Sequence, residues 1–273
     1  MLKKIIIILF SLVFYQSQLF SKSNSFEKIN SENLSKYFSG IVAFDNKNTS
    51  DALNFFKSSK ILINRHDPYL KKFVISLVLE DNIAQAINII KSNIKKKNSN
   101  FFEAQILLAI ESLKKNNIQK ASKILEGISE DLLEDRFEFI ILSLLKQHVD
   151  VFENKKIQEG NINFGNLSLI SETFQRCYLD DDKTGSFFLK LINDVQSDYS
   201  RYIFFYLTYL IEKNQIKEAK LITEELDYIN STLLISQGKS WIERNELKEF
   251  SKVFSCDNHN DILGEFLFLI SNL

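Results

Sequence analysis

Apolar residues recur along most of the chain at spacings of three and four, the period that gathers them on one face of an α-helix rather than on the alternating faces of a strand. Leu70, Phe73, Val74, Leu77 and Val78 form one such stripe, and Phe101, Ile106, Leu107, Ile110 and Leu113 form another. Each stripe ends in a short polar turn, after which a second apolar run opens on a small residue. Aligned on that residue, the runs read NTSDALNFF around Ala52, NIAQAINII around Ala86, NIQKASKIL around Ala121 and QIKEAKLIT around Ala219. Ala52 and Ala86 are 34 residues apart, and Ala86 and Ala121 are 35 apart. IERNELKEF (242–250) repeats IEKNQIKEA (211–219) with Phe250 in the alanine's place. A fixed period of this size marks a repeat architecture. The pattern predicts an all-α chain of helix-turn-helix units, the small residue letting the two helices of each pair approach closely.

The clearest units lie within 33–130, and further ones within 199–273. Between 131 and 198 the rhythm blurs, although LEDRFEFIILSLL (133–145) predicts an apolar helix and NINFGNLS (161–168) a loop before a helix beginning near Leu169. Gly185, 34 residues before Ala219, occupies the place of another small residue. YSRYIFFYLTYLI (199–211) is apolar on nearly all sides, as in a helix sandwiched between neighbours. DILGEFLFLISNL (261–273) reads as the first helix of another unit. Its Phe266, Leu267, Phe268, Leu269 and Ile270 are expected at an open end, to be covered by a partner or by further repeats.

The unit resembles the tetratricopeptide repeat, which carries a Leu-Gly pair in its first helix, a small residue opening its second, and a closing proline. Ser39-Gly40 stands at the Leu-Gly position, Ala52 and Phe56 take the small and aromatic positions, and Pro68 follows a few residues late. Elsewhere the glycine is replaced by Val74, Ala109 and Leu207. Over 36–128, and more loosely beyond, the chain is similar to exported tetratricopeptide proteins of alphaproteobacteria. The resemblance implies an α-solenoid wound as a right-handed superhelix, its first helices lining a concave face. The lining positions are Tyr37, Ile41 and Phe44, then Lys71, Ile75 and Val78, then Ile106, Ile110 and Leu113. Such a groove is largely apolar and suits an amphipathic helix or an apolar peptide. The alternative is that these side chains pack against neighbouring helices.

Composition narrows the function. Of 273 residues 45% are hydrophobic, and with only seven glycines and one proline the chain is neither a disordered polymer nor a turn-rich β-sandwich. With 34 Lys+Arg against 35 Asp+Glu, the formal charge of −1 gives nucleic acid or anionic lipid no general attraction. At the N-terminus, Lys3 and Lys4 precede an uncharged apolar run from Ile5 to Tyr15 that ends at Gln16. This reads as a secretory signal peptide over 1–23, cleaved before Asn24. The run is shorter than the about 20 residues of a membrane span, so no stable anchor is expected after cleavage. The remainder, 24–273, is expected in the periplasm or on the periplasmic side of an outer membrane. Cys177 and Cys256 would meet an oxidising compartment there; they are read as two part-buried thiols, with a single bridge as the alternative.

Candidate chemistry is sparse. Asp180, Asp182, Thr184 and Gly185 imitate the start of a calcium loop, but Leu191 stands where a bidentate glutamate is needed, so helix capping by Asp182 or Ser186 is the reading taken. Cys256 and His259 lack a second pair to complete a zinc site. His66, His148 and His259 sit in no nucleophile motif, and no Gly-rich loop cradles a phosphate. Lys95, Lys96 and Lys97 read as a solvated helix end. No catalytic residue, cofactor or metal is therefore expected. The function expected is a non-catalytic scaffold that holds a protein or peptide. The alternatives are an envelope enzyme that gathers His148, Cys177 and Asp180 to Asp182 around one pocket, and a subunit that self-associates through its C-terminal end.

Overall fold

In a computed structural model the chain is all-helical: the described residues, 30–95, 97–157, 162–193, 201–225 and 233–272, hold fourteen α-helices and no strand. The segment 1–23, expected to be a signal peptide, lies outside the described residues. In order the helices are α1 (Ser31–Asp45), α2 (Thr49–Ser58), α3 (Asp67–Leu79), α4 (Ile83–Asn93), α5 (Phe102–Lys114), α6 (Ile118–Glu126) and α7 (Arg136–Asn154). They continue with α8 (Asn166–Tyr178), α9 (Thr184–Ile192), α10 (Arg201–Glu212), α11 (Ile216–Glu225), α12 (Leu233–Glu243), α13 (Phe250–Val253) and α14 (His259–Ser271). The chain divides into two units, Met1–Ile89 and Ile90–Leu273.

One turn recurs at the end of the first helix of each pair. Lys47, Asp81, Asn116, Asp180, Asn214 and Asn245 all have φ between 54° and 59°. The N–H of the next residue reaches back to the carbonyl five positions earlier: Asn48 to Ala43, Asn82 to Leu77, Asn117 to Ser112, Asp181 to Arg176, Gln215 to Leu210 and Glu246 to Trp241, at 2.7–3.0 Å. This double closure satisfies the orphan carbonyls of the helix that ends. Asn and Asp dominate the left-handed position because their short polar side chains tolerate it. The residue that closes one helix also starts the next: the Asn48 side chain accepts from Asp51 N–H, and that of Asn117 from Lys120 N–H. Four residues on comes the small side chain, and Ala52, Ala86, Ala121 and Ala219 have no exposure at all.

In the first unit α1 and α2 pack so closely that a Cβ on Gly40 would lie 2.8 Å from the Phe56 ring. The aromatic interior continues through Phe56, Tyr69 and Phe73, with the buried Tyr69 hydroxyl donating to the Phe56 carbonyl. In the second unit a single buried cluster runs from Phe102 to Phe266. Its axis is α10, whose Tyr202, Phe204, Phe205, Tyr206, Leu207, Thr208 and Leu210 are all buried, as its all-round apolar pattern predicts. Where Phe250 replaces the small residue, Gly238 faces it. A Cβ there would stand 3.2 Å from Phe204 and 3.3 Å from Phe250, so the glycine offsets the larger ring.

Three expectations are corrected. The helix predicted near Leu169 begins at Asn166, directly after Gly165, whose φ of 65° makes the sharp turn. Neither Asp182 nor Ser186 caps α9: its N-cap is Lys183, with no side-chain cap bond, and Ser186 instead donates to the Lys183 carbonyl at 2.7 Å. The apolar run of α14 is covered on one side: α14 packs on α7 and α8, where Ile262, Leu263 and Phe266 are buried, while Phe268 stays 46% exposed. In a simple array each pair touches only its neighbours; in this unit the last helix contacts helices formed about a hundred residues earlier.

Candidate functional site

Of the concave-face candidates in the first unit, Tyr37 is 4% exposed and rings of Phe56, His66 and Tyr69 surround it, so it belongs to the interior. Ile41, Phe44, Lys71, Ile75 and Val78 are half-buried. Phe44 lies under the Lys72 ammonium at 4.4 Å. The open apolar face of α1 is one position over: Leu34, Phe38 and Val42 follow at intervals of four, with Phe38 and Val42 each 60% exposed. Phe38 and Val42 border a 570 Å³ trough completed by Ser35, Ser39, Ala43 and Phe55. Their four-residue spacing was the signal for this face, and alignment to a repeat template obscured it.

In the second unit Ile106 and Ile110 are half-buried. Leu113 has no exposure, and its carbonyl accepts from His259 Nε2 at 3.2 Å, so it too is part of the interior.

The chemistry-bearing residues each have local partners. His148, 1% exposed, has Nε2 3.0 Å from the Ser171 hydroxyl, which itself accepts from the Gln175 amide at 3.0 Å. With that hydroxyl donating to Nε2, the proton of the neutral ring sits on Nδ1, which has no partner. Burial pushes the His148 pKa down from 6.5 to about 4. The serine-histidine pair is sealed from solvent, and among the described residues no acceptor stands at Nδ1.

Cys177 and Cys256, read from the sequence as separate thiols, are disulfide-bonded, with Cα atoms 5.2 Å apart. That distance suits a bridge. The bond removes Cys256 as a metal ligand and ties α8 to the segment before α14. Asp180 pairs with Lys213, and Asp181 lies 2.9 Å from Arg176. Lys95 is exposed just beyond α4. Among the described residues no three His, Cys, Asp or Glu side chains gather around one point, and no helix is long and apolar enough to cross a membrane.

No family model, curated protein or solved structure matches the chain.

In the second unit a groove of 810 Å³ lies between α10, α12 and α14, walled by Trp241, Leu234, Phe254 and Phe268. On its floor Arg201 grips Glu265 through two bonds, Nε to Oε1 at 2.9 Å and Nη2 to Oε2 at 2.7 Å. The guanidinium also stacks 4.0 Å over the Phe268 ring. Glu265 is 5% exposed. Hydrogen bonding to that carboxylate raises the Arg201 pKa further above its ordinary value.

Proposed function

We propose that the chain is a non-catalytic scaffold of the bacterial cell envelope, built as tetratricopeptide-like repeats wound into a right-handed superhelix, that holds a protein or peptide on its concave face. The observation that carries this reading is the recurrent left-handed turn with a buried small residue after it. Lys47 to Asp81 is 34 residues, Asp81 to Asn116 is 35 and Asp180 to Asn214 is 34. A turn repeated at that period sets successive helices in one relation to each other, which is what a stacked array requires. The half-buried Ile41, Phe44, Ile75 and Val78 of the first unit, and Ile106 and Ile110 of the second, are the side chains such a face offers an amphipathic helix. The Cys177–Cys256 bond supports export through a signal peptide over 1–23, because disulfides persist in oxidising compartments.

Two measurements test this. In a bacterial host the mature protein is expected in the periplasmic fraction with Asn24 as its first residue; a full-length chain retained in the cytosol opposes export. Envelope proteins co-purifying with the wild type are expected to be lost from an Ile41→Asp/Ile110→Asp variant that keeps its helical content. An identical set captured by both proteins removes the concave face from consideration.

A further inference from the structure

The groove beside Trp241 shares no residue with the concave-face candidates, and three features of it point to an occupant. Asn260, Asp261, Gly264, Glu265 and Phe268 follow at the spacing that puts them on one side of α14, and all of them line the groove. Its volume of 810 Å³ lies within the range of small-ligand and peptide-side-chain sites.

Gly264 is the first feature. It stands inside α14, where glycine is less favourable than alanine. A Cβ there would meet nothing within 4 Å, so close packing does not call for the glycine. Gly40 and Gly238, by contrast, each have an aromatic ring against them. At Gly264 the missing side chain keeps the groove clear.

Charge is the second. Three charged residues line the groove, and Arg201 is fully engaged by Glu265. Asp261 remains, its Oδ2 accepting from the Ser255 N–H at 3.0 Å and no cationic side chain pairing with it among the described residues. The walls therefore carry one carboxylate without a paired cation next to aromatic faces, which favours a cation and disfavours an anion.

The third is the apolar wall of Trp241, Leu234, Phe254 and Phe268, which matches aliphatic or aromatic side chains.

We infer that this groove binds a peptide segment in which a lysine or arginine is flanked by apolar side chains, the cation paired with Asp261 and the apolar groups lying against Trp241 and Phe268. The inference stands on the groove alone and does not rest on the concave-face reading.

Trp241 is the one tryptophan of the sequence, so its emission reports on the groove directly. The probe is the blocked tetrapeptide acetyl-Leu-Lys-Phe-Leu-amide, titrated into the full chain, with the Leu-Glu-Phe-Leu peptide as control. A saturable change in Trp241 emission is expected with the lysine peptide, which should bind about tenfold more tightly than the glutamate peptide. Asp261→Asn should abolish that preference. Gly264→Leu puts a side chain into the groove while improving helix propensity, so it should abolish the response without lowering the melting temperature. The Ile41→Asp/Ile110→Asp variant should titrate like the wild type even where it loses envelope partners. The inference is overturned by no saturable change up to about 1 mM peptide. It is equally overturned by equal affinity for the two peptides, or by an undiminished response in Gly264→Leu.

Discussion

The Cys177–Cys256 bond offers the sharpest quantitative test of how the second unit is held together. The two residues are 79 apart in sequence, so reducing the bond or replacing both cysteines by alanine frees a long loop in the unfolded chain. Loop-closure entropy for a loop of that size corresponds to about 4.5 kcal/mol at 25 °C. Domains are stable by roughly 5–15 kcal/mol in all, so this is a large fraction of the total. Native contacts around the bond survive its loss: the Arg201–Glu265 pair and the packing of Phe266 beside His148 do not depend on sulfur. The Cys177→Ala/Cys256→Ala variant should therefore keep its helical circular dichroism and Trp241 emission in buffer, and unfold at lower denaturant. Urea titrations of the oxidised wild type, the wild type with a phosphine reductant, and the variant are the assay. The two bridgeless samples should agree with each other and fall about 4.5 kcal/mol below the oxidised protein, with a steeper dependence on urea because their denatured state is more expanded. Equal midpoints for all three would refute the reasoning, as would two titratable thiols in the unreduced, denatured wild type.

Three other outcomes are expected. The pKa of His148 is lower folded than unfolded, so its contribution to stability is complete above pH 6.5 and is lost as pH falls toward 4. That is about 2 kcal/mol by pH 5. Glu111, held below the usual carboxylate range by Lys115 and Lys91, loses its contribution only at lower pH, and Glu212, raised by burial, acts in the opposite sense. A His148→Leu variant should lose the His148 part of that fall between pH 7 and 5; an unchanged slope would assign the effect elsewhere. Arg201→Ala strips the partner from a carboxylate that is 5% exposed and should cost roughly 3 kcal/mol, near the low end for a buried pair because the guanidinium is partly solvated. Adding Glu265→Gln should recover part of that in thermal unfolding, and no recovery would mean the loss came from packing. Ala86→Leu forces a branched side chain into a site with no exposure and should cost about 1–3 kcal/mol; equal melting temperatures would count against the close approach of the two helices there.

Helical periodicity was enough to read the hairpins around Ala52, Ala86, Ala121 and Ala219, because a buried face and its turn are written locally. The stretch after Ile128 was harder, since α7 is one long helix of 19 residues that breaks the rhythm of short pairs. Gly238 could have been recognised as the counterpart of Phe250, twelve positions earlier, just as Gly40 precedes Ala52. Tertiary pairings leave no such local trace. Nothing in the spacing of Cys177 and Cys256 places them together, and the apolar faces of α14 do not say that they meet α7 and α8. Of the concave-face positions Tyr37 and Leu113 turn into the interior, and the most exposed apolar stripe of α1 is Leu34, Phe38 and Val42.

The return of α14 onto helices far behind it also governs how the second unit can be made. A ribosome or an export channel delivers the chain vectorially, and a row of hairpins could consolidate one after another as each emerges. Here His259 reaches the Leu113 carbonyl across 146 residues, and Phe266 stands against His148. The middle of the unit therefore stays uncovered on that side until α14 arrives, and its docking is a step of high contact order, slower than hairpin formation. Aggregation during synthesis should accordingly concentrate on the uncovered faces of α7 and α8.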